Sequence, residues 1–114
     1  MLLSADFWVG ALVRRVEQAG SFAFIARKGH AQFGSVIVKV LNLRTREAYV
    51  LREAQSGLGA GGDETVWMRP VETVVEPDVD AYIARQVKFD PDVWVVEIED
   101  VEGRHFLTEK VKEN

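Results

Sequence analysis

The chain has 114 residues, 47% of them hydrophobic and 28% charged, with a formal net charge of −4. That balance belongs to an ordinary globular protein, so one domain over residues 1–114 is expected, with a short polar tail from about 109. The negative charge argues against bulk attraction to nucleic acid or an anionic membrane, and the lack of cysteine excludes disulfides, thiolate nucleophiles and cysteine metal sites.

The chain opens MLLSADFWVGALVRR. Ser4 and Asp6 break its apolar run, and Arg14 and Arg15 follow that run, the reverse of a signal peptide's order. No window approaches the roughly 18 apolar residues of a membrane span. A cytoplasmic location is therefore the expectation. Ser4 or Asp6 can cap a first helix. Trp8, Leu12, Val16 and Ala19 recur at helical spacing, joined by Val9 and Val13, and Gly20 is a natural stop.

Four strand-like segments follow. Residues 22–27 are short and aromatic. Residues 35–43 (SVIVKVLNL) are β-branched and nearly apolar on both faces, as in a central strand. Residues 48–53 alternate, and 44–47 have the length and polarity of a hairpin turn. Residues 65–71 form a fourth segment whose Pro70 cannot donate to a ladder, placing the strand at an edge or ending it.

Glu76-Pro77-Asp78 opens a second helix, with proline where its missing N–H does no harm. Val79, Ile83 and Val87 make its apolar stripe, flanked by Tyr82 and Phe89. Asp90-Pro91 ends it, because a residue before proline avoids helical dihedrals. Residues 93–99 read as a fifth strand, with Trp94, Val96 and Ile98 facing one way and Val95, Glu97 and Glu99 the other. A turn at Glu102-Gly103 and a short segment over 104–107 precede the tail.

Few groupings point to chemistry. The glycine-rich run 56–63 (SGLGAGGD) is followed by strand-like residues rather than by a helix, and lacks the Lys-Ser or Lys-Thr of a P-loop, so it reads as a hairpin connection. Glu97, Glu99 and Asp100, with Asp90 and Asp92, form the densest carboxylate group. Such a group can act as acid and base or hold a hard cation, yet it is also what the wet face of a half-buried strand looks like, with Arg52 or Arg69 across from it. His30 and His105 stand far apart with no zinc spacing, and no serine sits in a nucleophile elbow. Arg15 and Arg85 converge on an anion only if both helices share one face. Trp67 becomes an interface anchor if it is exposed.

The motifs DFWVGALVRR (6–15), VDAYIARQ (79–86), FDPDVWVVEIED (89–100) and GRHFL (103–107) together resemble the bacterial domain of unknown function 1491 (DUF1491) family, in order and over essentially the whole length. The resemblance implies a small bacterial protein without an assigned activity, cofactor or catalytic residue, and carries no role onto any position.

The expected fold is α+β: a mostly antiparallel sheet of about five strands with two helices on one face. Central insertion of the fifth strand would make that sheet mixed. Two functions compete. The first is a protein-interaction or accessory module, binding a partner protein or a second copy with Trp67 as an anchor. The alternative is a small-molecule site, for an anion or phosphometabolite, with or without catalysis, using Arg15, Arg85, Asp90, Glu97 and His105. No catalytic residue, metal or cofactor is assigned.

Overall fold

The computed structural model describes residues 3–54 and 65–112. The glycine-rich run 56–63 lies outside the described residues. The elements are α1 (Ala5–Gln18), β1 (Phe22–Arg27), β2 (Val36–Asn42), β3 (Ala48–Glu53), β4 (Val66–Met68), α2 (Glu76–Phe89), β5 (Trp94–Asp100) and β6 (Lys110–Val111). They form one six-stranded sheet in the order β1-β5-β2-β3-β4-β6. β5 inserts between β1 and β2, antiparallel to β1 and parallel to β2. The α+β class and the mixed sheet are as the sequence predicts.

The placement of the helices differs from expectation. They stand on opposite faces of the sheet, not together on one. Val36, Val38 and Val40 of β2 pack with Trp94, Val96 and Ile98 of β5 beneath Ala5, Trp8, Val9, Leu12 and Val16 of α1. Ile37 and Leu41, with Ala48 and Val50 of β3, pack on the other side beneath Val79 and Tyr82 of α2. Side chains alternate along a strand, so β2, whose first six residues are all buried, must be covered on both faces. One helix alone cannot do that.

Local chemistry sets the ends of these elements. α1 starts after Ser4, whose hydroxyl donates to Asp6 Oδ1 at 2.7 Å, and stops at Gly20, where φ is +86°. α2 starts with Glu76 and Pro77 and ends where Asp90 turns extended. Phe89, expected beside the apolar stripe, is instead 84% exposed. β4 is shorter than the segment 65–71 and ends before Pro70. The residues expected as a polar tail return to the sheet: β6 pairs parallel with β4, and Glu109 Oε2 accepts the Trp8 indole N–H at 2.7 Å.

The residues between β1 and β2 wrap around Trp94. The Trp94 indole donates to the His30 carbonyl at 2.7 Å, and the His30 amide donates to the Asp92 carbonyl at 2.9 Å. This close approach requires Gly29 and Gly34, where a Cβ would sit 2.2 and 2.3 Å from the Asp92 carbonyl oxygen. Backbone cannot retreat as a flexible side chain can. Gly34→Ala should therefore lose about 1–3 kcal/mol of stability, read as an earlier urea midpoint with an unchanged slope.

Candidate functional site

The most unusual group inside the sheet is Lys39, at the centre of β2 and only 4% exposed. A buried ammonium needs partners, because desolvation costs several kcal/mol unless it is compensated. Its Nζ lies 2.8 Å from Glu76 Oε2 and 2.7 Å from Asp80 Oδ1, both on α2, and 3.6 Å from Glu97 Oε1 on β5. Burial by itself lowers the Lys39 pKa, but the hydrogen bonds to Asp80 and Glu76 and the charge of Glu97 outweigh it and raise the pKa above the ordinary lysine value. With three carboxylates around it, Lys39 is held as a fixed cation. Burial also pushes the Glu97 carboxyl up against the lowering effect of Lys39, and the Glu99 carboxyl adds to the rise. Arg52 completes the docking of α2, donating to Tyr82 Oη at 3.1 Å and Gln86 Oε1 at 2.9 Å.

A second anchor sits on the α1 side. Asp100 is 1% exposed. It accepts from Arg104 Nε and Nη2 at 3.1 and 2.9 Å, from the Ser21 hydroxyl, and from the Arg104 and Glu102 amides at 2.8 and 3.0 Å. The Arg104 side chain first, then Ser21 and the two amides, hold the Asp100 carboxyl far below the usual carboxylate range despite its burial. The loop that follows bends back through Phe106 at φ +62°, a costly conformation for a bulky residue. Arg15 Nε donates to the Phe106 carbonyl at 2.8 Å, and the Arg104 guanidinium lies 4.9 Å from the Phe106 ring centre.

The third feature is an open edge. Among the described residues β1 pairs only with β5 and ends the sheet. Its Phe22 is 65% exposed, and Phe24 and Ile25 are each 46% exposed. Ala23 turns toward the α1 core, so by alternation Phe22 and Phe24 turn toward the α2 side. Helix α2 lies over β2 and β3 and stops short of them. Phe22 stands opposite Glu99 and Phe24 opposite Glu97 in the ladder.

The residues predicted as a site are dispersed by this architecture. Arg15 and His105 lie on the α1 side, where the His105 Nδ1 accepts the Leu107 amide at 2.9 Å. Arg85 is exposed on α2, and Glu97 faces Lys39 across the sheet from Arg15. Asp90 is at the C-terminal end of α2, accepting from Ser35 Oγ at 3.2 Å and from the Asp92 amide at 3.0 Å. The condition for Arg15 and Arg85 to converge, both helices on one face, does not hold. Trp67 is 0% exposed, stacked on Trp8 with ring centres 5.0 Å apart. A side chain so enclosed offers no anchor, so the exposure that its interface role required is absent.

Among the described residues, shallow concavities occur elsewhere. One, about 280 Å³, runs along Leu3, Phe33 and Glu53; another, about 340 Å³, is lined by Tyr49, Arg69, Glu47 and Glu102, with Arg69 stacked 4.2 Å from the Tyr49 ring centre. The two carboxylates of the second oppose an anion there. Among the described residues no group of three or more His, Cys, Asp or Glu is placed to hold a metal ion, and no helix is long and apolar enough to cross a membrane.

Sequence reasoning missed Lys39 as an anchor and assigned Arg52 or Arg69 to face Glu97. The signal was present: a lysine in the middle of an otherwise apolar strand demands acidic partners wherever it is buried. For Asp100 the turn partners Glu102 and Arg104 lie within four residues in sequence, whereas its burial and the Ser21 hydroxyl, 79 residues away, come only with the fold.

These features define a small α+β domain whose mixed sheet is covered by one helix on each face. The chain belongs to the DUF1491 family, a protein family of unknown function whose profile matches residues 3–108. It is similar to a DUF1491 family protein from Caulobacter crescentus CB15. The crystal structure of that protein superposes with a TM-score of 0.90 at 51% identity, over 99% of this chain and 100% of that one. Its NMR structure gives 0.89 at 53% identity, over 99% of each chain. A solution structure of an A. tumefaciens protein gives 0.79 at 30% identity, over 100% of this chain and 99% of that one. No curated protein matches the chain.

The two anchors should respond to pH from opposite ends. With its folded pKa raised, Lys39 contributes stability in full below the unfolded lysine value near ~10.4 and loses it as pH rises through the folded value. Lys39→Met should cost about 1–2 kcal/mol near neutrality, chiefly through the enclosed Glu97, because water can reach Glu76 and Asp80, and should abolish that alkaline loss in denaturant titrations. With its folded pKa lowered, Asp100 contributes in full above the unfolded value near ~3.9 and loses it as pH falls through the folded one. Asp100→Asn should lower the melting temperature at pH 7, and the gap from wild type should narrow when melting is followed below about pH 4.

Proposed function

We propose that this domain is a protein-interaction module, in a cytoplasmic accessory role, that receives an extended segment of a partner as an added strand along β1. The observation that carries the reading is the unguarded edge: Phe22, Phe24 and Ile25 are exposed on a terminal strand. Proteins normally blunt such edges with charge, proline or a bulge, because free N–H and C=O groups template further pairing. Here the bulge comes late, between Ile25 and Arg27. Arg27, the strand's one charge, is turned inward, with Nη1 donating to the Pro91 carbonyl at 3.0 Å and the Val93 carbonyl at 3.3 Å. The first four residues of β1 are left without protection. Backbone pairing would supply affinity, and the alternating side chains would supply selectivity.

The test is selection of a random peptide library on the purified protein, followed by amide exchange of the complex. Peptides enriched on wild type should slow exchange across residues 22–27 and should lose binding to a Phe22→Ser/Phe24→Ser variant that melts within a few degrees of wild type. Protection confined to another surface, or equal enrichment on the double variant, would overturn strand addition at β1.

A further inference from the structure

We infer that the segment received by β1 is cationic on alternate residues, with Arg or Lys side chains lying over Phe22 and Phe24 and reaching Glu99 and Glu97. The inference rests on the strand-addition reading and deepens it by naming the chemistry of the partner. It follows from the rows of side chains that cross the sheet on the α2 side. One row runs Phe24, Glu97, Lys39, and the next runs Phe22, Glu99, Leu41. In the first row Glu97 has the Lys39 ammonium at 3.6 Å, but that ammonium is already held more closely by Glu76 and Asp80. In the second row Glu99 stands between a leucine and a phenylalanine, with the Glu97 carboxyl of the neighbouring row beside it. Among the described residues it makes no ion pair, although it is half-buried on its strand. The open face therefore carries excess negative charge directly behind two exposed aromatic rings.

A strand added outside β1 places its residues at the ends of these same rows, one strand spacing of about 4.8 Å from the phenylalanines. A long cationic side chain there would lie across the ring face, where the aromatic quadrupole attracts it. Its head would come to the carboxylate beyond. Arginine suits both contacts, because its planar guanidinium stacks and pairs bidentately. Residues on the partner's other face would meet Ala23 and Ile25 and should be apolar.

Charge also decides between this partner and a second copy of the chain. Antiparallel pairing of β1 with itself would bring two sets of Glu97 and Glu99 to one face. The only cation in the strand, Arg27, is committed to the carbonyls of Pro91 and Val93. A second copy would thus bring two carboxylates, Glu97 and Glu99, for one guanidinium that is already engaged. At a net charge of −4 the whole protein also favours encounter with a basic segment.

The experiment uses three blocked decapeptides titrated into the full-length, isotope-labelled protein: alternating Arg and Val, alternating citrulline and Val, and alternating Glu and Val. Citrulline keeps the shape of arginine without its charge. The Arg peptide should shift the amides of residues 22–27, with binding that weakens as salt rises. The citrulline peptide should bind at least about tenfold more weakly, the loss expected when several charge contacts vanish together. Glu99→Gln should weaken the Arg peptide about threefold, and Glu17→Gln, on α1 across the sheet, should leave it unchanged. If the citrulline or Glu peptide binds β1 as tightly as the Arg peptide, strand addition stands and the cationic partner is refuted. Equal loss with Glu17→Gln would reduce the effect to net charge and refute it as well. If no peptide shifts the β1 amides, the strand-addition reading falls with it. Concentration-dependent dimerisation in sedimentation that Phe24→Arg abolishes would assign the edge to a second copy instead.

Discussion

A central strand that is apolar on both faces governs this structure. β2 and β5 lie side by side in the middle of the sheet, and their side chains alternate between two cores. Leaving either face to water would expose a row of large aliphatic groups, at about 25 cal/mol for each Å². Each face therefore takes a helix. With one 14-residue helix per face and six strands, coverage cannot be complete. What remains uncovered follows from where each helix is pinned.

Polar groups do the pinning, and they act where apolar packing is least directional. The Lys39 ammonium ties Glu76 and Asp80 in the first turns of α2 to the midpoint of β2, and Arg52 ties the later turns to β3. A hydrophobic contact alone would tolerate sliding of the helix across the sheet, whereas a buried cation with fixed partners does not. Because these anchors hold α2 over β2 and β3, the same face of β1 stays open, with Glu97 and Glu99 of β5 half-buried behind it. On the other side, the Asp100 hub and the Trp8–Trp67 stack close the α1 core against the loop after β5 and against β4. The open edge is thus a consequence of how α2 is held, and the exposed phenylalanines sit where no element among the described residues arrives.

The two families of polar contacts also explain why the dispersed candidates did not form a cleft. Arg15 is spent on the Phe106 carbonyl and steadies a backbone held at positive φ, while Glu97 belongs to the Lys39 cluster on the far side. A continuous sheet stands between them. Charged residues that sequence places within reach of one another can be separated by a whole layer once strand order is known.

Much of the fold could be read from local pattern. The helical spacing of Trp8, Leu12 and Val16, the stop at Gly20, the proline entry at Pro77 and the alternation from Trp94 to Glu99 are set by neighbours within a few residues, so propensity and period determine them. The double-sided apolarity of residues 35–43 likewise announced a central strand, though the expectation of both helices on one face did not follow it through to a cover on each side. Other features depend on contacts between distant segments. The side taken by each helix, the burial of Trp67 against Trp8, the pairing of residues 110 and 111 with β4, and the exposure of Phe22 and Phe24 are of this kind. A phenylalanine's sequence neighbours do not say whether a helix will lie over it. That is decided by where α2 docks, and Lys39 decides the docking through partners 37 and 41 residues away in sequence.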